Sequence, residues 1–308
     1  MLVGKVADQL GNQMFTYASL KTIARDRKED FYFIRAHNDR INDSDKRYGN
    51  EIHTMFPNIQ GEFLEELPKE VTHTYHEPPI VERKTNYQKE ALQVPENTLM
   101  LGHFISCQYF VHRIQEVWDW FAFPEDVEVQ VQEEFQKLCK DYPDRLLVSV
   151  HFRVGEDYVR QGFRIRDAYW LKAAEYLMQK SEKKPLFLVF YDKKAKIVEK
   201  FTNTYECVVC RGSLLHDLCM MSKCEKQIIS NSSFAIMSAV LNQRENVEII
   251  RPSVYPVGQY FQPQDCFMES WTIIEAHQSI RSKAFMKINK RSLFYLQRSP
   301  ISCKIIYI

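Results

Sequence analysis

Short apolar runs punctuated by polar turns recur along the chain, and in its second half they alternate with segments whose apolar residues fall three and four apart. The clearest run is Leu146, Leu147, Val148, Ser149 and Val150, which ends in His151, Phe152 and Arg153 and then in the carboxylates Glu156 and Asp157. With β-branched members and neither Pro nor Gly it predicts a buried strand that delivers charged groups to a cleft. His151 and Arg153 occupy alternate positions and so share a face. From there the pattern predicts helices over 167–180, 193–201, 213–222 and 232–241, interleaved with strands over 185–191, 206–209, 226–229 and 247–250. Strands alternating with helices in this way predict a parallel, Rossmann-like sheet.

The first half is less regular. Leu2, Val3 and Val6 predict a strand, and Ala7 to Asn12 a tight turn into a helix that runs to about Arg27. In this reading Gly11 supplies the turn, and Asn12 caps the helix and leaves N–H groups that favour an anion. A strand follows over 31–34. Pro57, Pro68, Pro78, Pro79 and Pro95 predict loops and short elements across 51–98. A strand over 99–104 and a helix carrying Ile114, Val117, Trp118 and Phe121 precede a helix opened by Pro124. That helix is broken at Asp141, Tyr142, Pro143 and Asp144. The break divides the chain into a first domain over 1–143, a second domain over 144–275 and a tail over 276–308.

Bulk properties narrow the function. At 308 residues, with 45% apolar and 26% charged positions, the chain has ordinary globular composition and length for two domains. A net charge of +1 argues against nucleic acid as the main partner. The charge is uneven: Arg281, Lys283, Lys287, Lys290, Arg291, Arg298 and Lys304 give the tail seven basic residues and no acidic one. The tail is expected either to pack back on the body or to offer a peripheral contact to anionic lipid. No run approaches the ~18 apolar residues of a membrane span, and the start has no signal-peptide pattern, so the expected location is the cytosol. Eight cysteines, mostly inside apolar segments, are expected to be reduced. The spacing of Cys207 and Cys210 invites a zinc site, for which no second pair is in view.

Three predicted strand-to-helix turns carry residues suited to phosphates or bases. One is His151 to Asp157, with the alternative that His151 is a satisfied core histidine and Arg153 a partner of Glu156. A second is Ser230, Asn231, Ser232, Ser233 and Phe234, where hydroxyls and N–H groups at a helix start form an anion site. The third holds His216 and Asp217, whose carboxylate suits a guanine edge or is simply an exposed Asp. Asp43, Ser44 and Asp45 form an Asp-x-Asp that would hold a divalent cation, but Arg40, Lys46 and Arg47 beside them favour a solvated loop. There is no G-x-G-x-x-G to suggest a dinucleotide site.

Taken in order, Gly11-Asn12-Gln13-Met14-Phe15 with Tyr17 and Ala18, then Val148 to Arg153 with Asp157-Tyr158-Val159, then Ile228 to Phe234 resemble the α-1,2-fucosyltransferases of glycosyltransferase family 11, of the bacterial type without a membrane anchor. Gly102 to Phe110 and Glu269 to Ile274 add to the likeness. The resemblance implies an α/β fold of the GT-B-like kind, two Rossmann-type domains facing a cleft, with GDP-fucose held mainly by the C-terminal one. It implies an inverting transfer of L-fucose to a galactoside hydroxyl of a glycan, with no essential metal and no cofactor. On matching positions it implies that His151 and Arg153 lie near the diphosphate and that Gly11, Asn12 and Gln13 approach the donor from the other domain. Ser232, Ser233 and Phe234 would form the donor-phosphate turn, and Asp217 would contact the nucleotide.

The chain departs from the family pattern at several points. Val154 stands where a second Arg is usual, Glu156 is an extra residue before Asp157, Asp8 and Gln9 replace a double Gly, and Ile236 and Met237 replace aromatics. A guanidinium that bonds twice has no substitute in Val, which leaves Arg160, Arg164 or Arg166 to reach in. Catalysis would rest on Arg153 at the leaving phosphate and on a carboxylate base: Asp157 is preferred, with Glu156 and Asp8 as alternatives. Use of another sugar nucleotide, or a glycan-binding module without catalysis, are the competing readings.

Overall fold

The computed structural model describes residues 1–35, 52–79, 85–254 and 264–284. Asp43, Ser44, Asp45 and most of the basic tail lie outside them. The first half comprises β1 (Leu2–Val6), α1 (Leu10–Arg27), β2 (Phe31–Arg35), α2 (Ile52–Met55), β3 (Phe63–Leu64), β4 (His73–His76), β5 (Thr98–Leu101) and α3 (Ile114–Trp120). After α4 (Glu125–Asp141) come β6 (Arg145–Phe152), α5 (Glu156–Arg160), α6 (Ala168–Lys180), β7 (Lys184–Tyr191), α7 (Lys196–Thr204), β8 (Cys207–Val209), α8 (Leu214–Lys223), β9 (Lys226–Ile228), α9 (Ser233–Val240), β10 (Glu248–Pro252) and β11 (Thr272–Ile274).

Among the described residues the strands form two parallel sheets, in the orders β3-β2-β1-β5-β4 and β11-β10-β9-β6-β7-β8. This is the α/β, GT-B-like architecture that the pattern and the family motifs led one to expect. The second sheet has one strand more than the apolar runs predicted: β11 is a three-residue edge strand beside β10. In each sheet the strand order reverses once, between β1 and β5 and between β6 and β9. Open parallel sheets bind ligands outside the carboxyl ends of the strands at such reversals.

Neither sheet keeps its helices to itself. α1 is buried along most of its length, because β1 and β2 cover one side and α9 of the second half covers another. One apolar cluster therefore runs from Phe15, Tyr17 and Phe33 through to Ala235, Ile236 and Met237 on α9. At ~25 cal/mol per Å² of apolar surface, a seam of this kind holds the halves firmly together. α4 ends at the predicted break but packs on α8, with Val131 and Phe135 buried beside Leu147 and Leu188 of the second sheet. Trp118 adds a polar tie across the seam by donating its Nε1 to the Val240 carbonyl at 2.7 Å.

The α1 entry differs from the expected one. The helix starts at Leu10, Gln9 is its cap residue with no side-chain cap bond, and the N–H of Asn12 is spent on the Gln9 carbonyl at 2.9 Å. The reversal is made by Asp8 at φ 64°, a conformation that Asp tolerates better than most side chains. Gly11 lies inside the helix and serves a close approach instead: a Cβ there would stand 2.3 Å from the Phe234 backbone nitrogen. At the other end of the chain, the start of the tail packs on the second domain. Ile165 and Gln278 form an antiparallel bridge, Ser279 donates to the Arg164 carbonyl at 2.7 Å, and Arg281 pairs with Glu156 at 3.2 Å. No helix among the described residues is long and apolar enough to cross a membrane.

Candidate active site

The site is assembled at the carboxyl ends of β6, β7 and β9. Register pairs Val150 with Ile228 and Phe152 with Tyr191, so the residues that follow these strands emerge side by side. His151 is buried and its Nδ1 lies 2.9 Å from the Ser230 hydroxyl, across the β6/β9 reversal. The indole of Trp170 donates to the His151 carbonyl at 3.0 Å. Burial pushes the imidazole down to about 4, with Asp192 pulling it up and Arg153 pushing it further down, so His151 is neutral at pH 7.

Arg153 is the cation of the site, and its side chain is 12% exposed. Its guanidinium donates to Asp192, to Asp157 at 2.5 Å and to the Gln9 side-chain oxygen at 3.4 Å, so one residue of the first domain reaches it directly. It also lies 4.4 Å over the ring of Tyr158. Burial opposes the charge, but Tyr158, Asp192 and Asp157 outweigh it and hold the guanidinium firmly protonated. Tyr158 in turn shares a side-chain hydrogen bond with Ser232 and donates to the Asn231 carbonyl at 3.3 Å. Arg153 and the start of α9 thus form one connected surface.

Across the seam, the Ser233 hydroxyl donates to Asn12 Oδ1 at 2.5 Å, and the Phe234 ring sits 5.8 Å from the His151 ring. Gly11, Asn12, His151, Arg153, Asp157, Ser232, Ser233 and Phe234 therefore converge on one region from three separated stretches of sequence. Polar groups of fixed orientation gathered at a strand-order reversal are suited to hold a phosphorylated ligand.

A family model, glycosyl transferase family 11, matches residues 73–275. The chain belongs to glycosyl transferase family 11. The match takes in the turns at Arg153, Asp217 and Ser232 and leaves the Asp8 to Gln13 loop outside. No curated protein sequence matches the chain. Solved structures that resemble it include the fucosyltransferase NodZ from Bradyrhizobium, at TM-score 0.49 and 11% identity over 78% of this chain and 93% of that one. A mutant of Arabidopsis thaliana FUT1 in complex with GDP aligns at 0.46 and 12% identity over 83% and 70% of the two chains. POFUT1 in complex with GDP aligns at 0.45 and 11% over 81% and 97%.

Two expected residues of this glycosyl transferase lie apart from the cluster. Gln13 is buried beneath the loop, its Nε2 donating to the Asp8 carbonyl at 2.8 Å and its Oε1 accepting from Ile52 at 3.3 Å, so it braces the loop from below. Asp217 is in the first turn of α8 and accepts the Gly212 N–H at 2.9 Å. Burial raises its carboxyl above the usual range, against the Gly212 N–H and His216, which lower it. Beside it a groove of about 590 Å³ runs between α4 and the end of β8, lined by Glu134, Lys137, Tyr142, Arg211, Ser213 and His216.

Asp157 is engaged by Arg153 and is 45% exposed, which makes it the cation's counter-ion. Two of the three arginines that stood to replace the missing second Arg are committed elsewhere. Arg164 bonds Asp167 and the Ile165 carbonyl and lies 5.0 Å over Trp170, while Arg166 donates to the Gln278 carbonyl at 3.3 Å.

One residue escaped the sequence reading altogether. Asp192 follows the apolar run of β7 and accepts from the Val154 and Gly155 N–H groups at 2.8 and 2.9 Å as well as from Arg153. Its only signal was its position, the first polar residue after a strand that pairs with β6.

Proposed function

We propose that this family 11 glycosyl transferase moves L-fucose from GDP-fucose to a galactoside hydroxyl of a glycan, forming an α-1,2 linkage with inversion. The observation that carries this reading is Arg153, held between Asp157 and Asp192 and touched from the first domain by Gln9. A leaving diphosphate gathers negative charge as its bond to the sugar breaks, and a guanidinium fixed beforehand stabilises that charge without reorganising. The β-phosphate lies against the Arg153 guanidinium, which stays held by Asp157 and Asp192, with Ser232 beside it. The nucleoside then extends along the ends of β7 and β8 past Asp192 toward Asp217 and its groove.

His151 contributes shape and hydrogen bonding, because a neutral buried imidazole adds no charge. Inversion follows from attack on the face of the fucosyl carbon opposite the diphosphate, through an oxocarbenium-like state. The neutralisation of charge that a metal performs elsewhere falls here to Arg153. A second reading, transfer from another sugar nucleotide, draws support from Val154, which leaves the turn one guanidinium poorer than the family pattern. Both readings are tested by thermal shift with GDP-fucose, GDP-mannose, UDP-galactose and ADP-heptose, since a ligand at ~100 times its dissociation constant stabilises by ~2.7 kcal/mol. Stabilisation by GDP-fucose together with GDP release onto lactose or N-acetyllactosamine supports the first. Stabilisation by a different donor alone overturns it.

A further inference from the structure

The proposed reaction needs a group to take the proton of the attacking hydroxyl, and the carboxylate expected for that task, Asp157, is bound to Arg153. On the facing side of the seam, at the strand-order reversal of the first sheet, stand two residues that the donor site does not use. Lys5 on β1 pairs with Leu101 on β5, so the loops that follow both strands leave the sheet together. Asp8 lies in the first loop and His103 in the second, and Asp8 Oδ2 is 2.5 Å from His103 Nε2. Both are accessible, with side chains 47% and 40% exposed.

Both loops are built to hold this pair. Asp8 and Phe104 take φ values of 64° and 48°, and Gly102 takes φ 156° with no room for a Cβ, which would stand 2.4 Å from Glu77 Cβ. Left-handed backbone at a non-glycine residue costs on the order of 1 kcal/mol and persists where surrounding bonds impose it. Those bonds are present. Glu77 accepts from the His103 and Phe104 N–H groups at 2.9 and 3.2 Å, Ser19 donates to the Phe104 carbonyl at 2.9 Å, and Gln13 secures the Asp8 carbonyl at 2.8 Å. The loops also point at the donor site, because Gln9, next to Asp8, bonds Arg153 at 3.4 Å.

We propose that His103, oriented by Asp8, is the general base that accepts the proton of the attacking hydroxyl. This rests on the glycosyl-transfer reading of Arg153. The Asp8 carboxylate, bonded at Nε2, fixes the orientation of the His103 ring. The His103 hydrogen bond keeps the Asp8 carboxyl below the usual range despite its partial burial, so Asp8 stays ionised and supports the imidazolium when it forms. In the transfer the acceptor oxygen bonds to the anomeric carbon, the bond from that carbon to the β-phosphate oxygen breaks, and its electron pair leaves with GDP. The hydroxyl proton passes to His103. Asp8 is a positioning residue in this scheme and His103 the catalytic one. Among the described residues, charged groups near the pair include Glu77, behind the 102–104 turn, and Arg153, across the seam.

The test is GDP release from GDP-fucose in the presence of lactose, read from pH 5 to 9 for wild type, His103→Gln and Asp8→Asn, with GDP affinity measured on each. The assay counts attack by lactose and by water together, since either hydroxyl needs the base. Asn tolerates left-handed backbone, so Asp8→Asn keeps its loop even if His103→Gln disturbs the other. The expected result is a hundredfold or greater fall in kcat for His103→Gln with loss of the acidic limb of the profile. Asp8→Asn should fall about tenfold with that limb displaced, and GDP affinity should stay within twofold in both. A His103→Gln enzyme within threefold of wild type, or an Asp8→Asn profile superimposable on wild type, overturns the assignment while leaving Arg153 in place. Wild-type protein that neither binds GDP nor releases it from GDP-fucose overturns the fucosyl-transfer reading itself.

Discussion

The two strand-order reversals of this molecule face each other across the α1–α9 seam, built on the same parallel-sheet geometry and furnished with opposite chemistry. The reversal between β6 and β9 offers a permanent cation, Arg153, beside a histidine that burial keeps neutral. The reversal between β1 and β5 offers an accessible carboxylate–imidazole pair, Asp8 and His103. Desolvation has stripped the buried imidazole of His151 of its basicity, whereas His103 is accessible and bonded to a carboxylate. The two histidines thus differ in charge and access: His151 is buried and neutral, and His103 is accessible and paired with Asp8.

The contrast is broken most sharply at Arg153. Arg153→Ala should lower GDP release from GDP-fucose by roughly 10²- to 10³-fold, the loss that follows removal of one preorganised donor to developing charge. Steady-state assay measures this, and a variant that keeps a tenth of the wild-type rate removes Arg153 from the mechanism.

Next in size is the pH response of His151. Its folded value lies near 4, below the ordinary 6.5, so the neutral form contributes stability that is complete above pH 6.5 and is lost as pH falls through about 4. The difference amounts to about 3 kcal/mol. Urea unfolding at pH 7 and pH 4 should show His151→Gln losing less stability on acidification than wild type by about that amount, and parallel curves would contradict a buried neutral histidine.

Gly11→Ala tests the seam that brings the two reversals together. Its Cβ has no place against the Phe234 backbone, so a loss of about 1–3 kcal/mol in urea unfolding is expected, with weaker GDP binding as α1 and α9 part. Asp192→Asn removes the charge that orients Arg153 and should lower kcat/KM about tenfold, a change of ~1.4 kcal/mol, while the fold persists. Asp217→Asn should have the smallest effect, a several-fold loss of preference for GDP over IDP in competition binding. A variant that loses stability with the preference intact would confine Asp217 to holding the Gly212 turn.

Much of this arrangement was legible before folding because it depends on local chemistry. The apolar run ending at Phe152, the serines that open α9 and the Pro124 start of α4 each announce their element within a few residues. The turns after β6 and β9 could be put on one edge because alternating strands and helices build parallel sheets. The helix start at Asn12 was misread, because the double Gly usual there is absent and an Asp now makes the left-handed turn. Val154 stood out as a missing guanidinium. Its backbone N–H, bonded to Asp192, is what the folded turn uses.

Sequence alone was sufficient for the family, the two-sheet α/β class and the candidate turns, since apolar periodicity and short motifs act over one or two turns of chain. Tertiary structure alone decided what those residues do to one another. That Gly11 admits Phe234 and Asn12 meets Ser233 follows from contacts 221 or more residues apart in sequence. That Asp192 clamps the Arg153 turn follows from the β6/β7 register. That one histidine is neutral and another paired with a carboxylate follows from burial, a property of the packed molecule that no stretch of chain carries by itself.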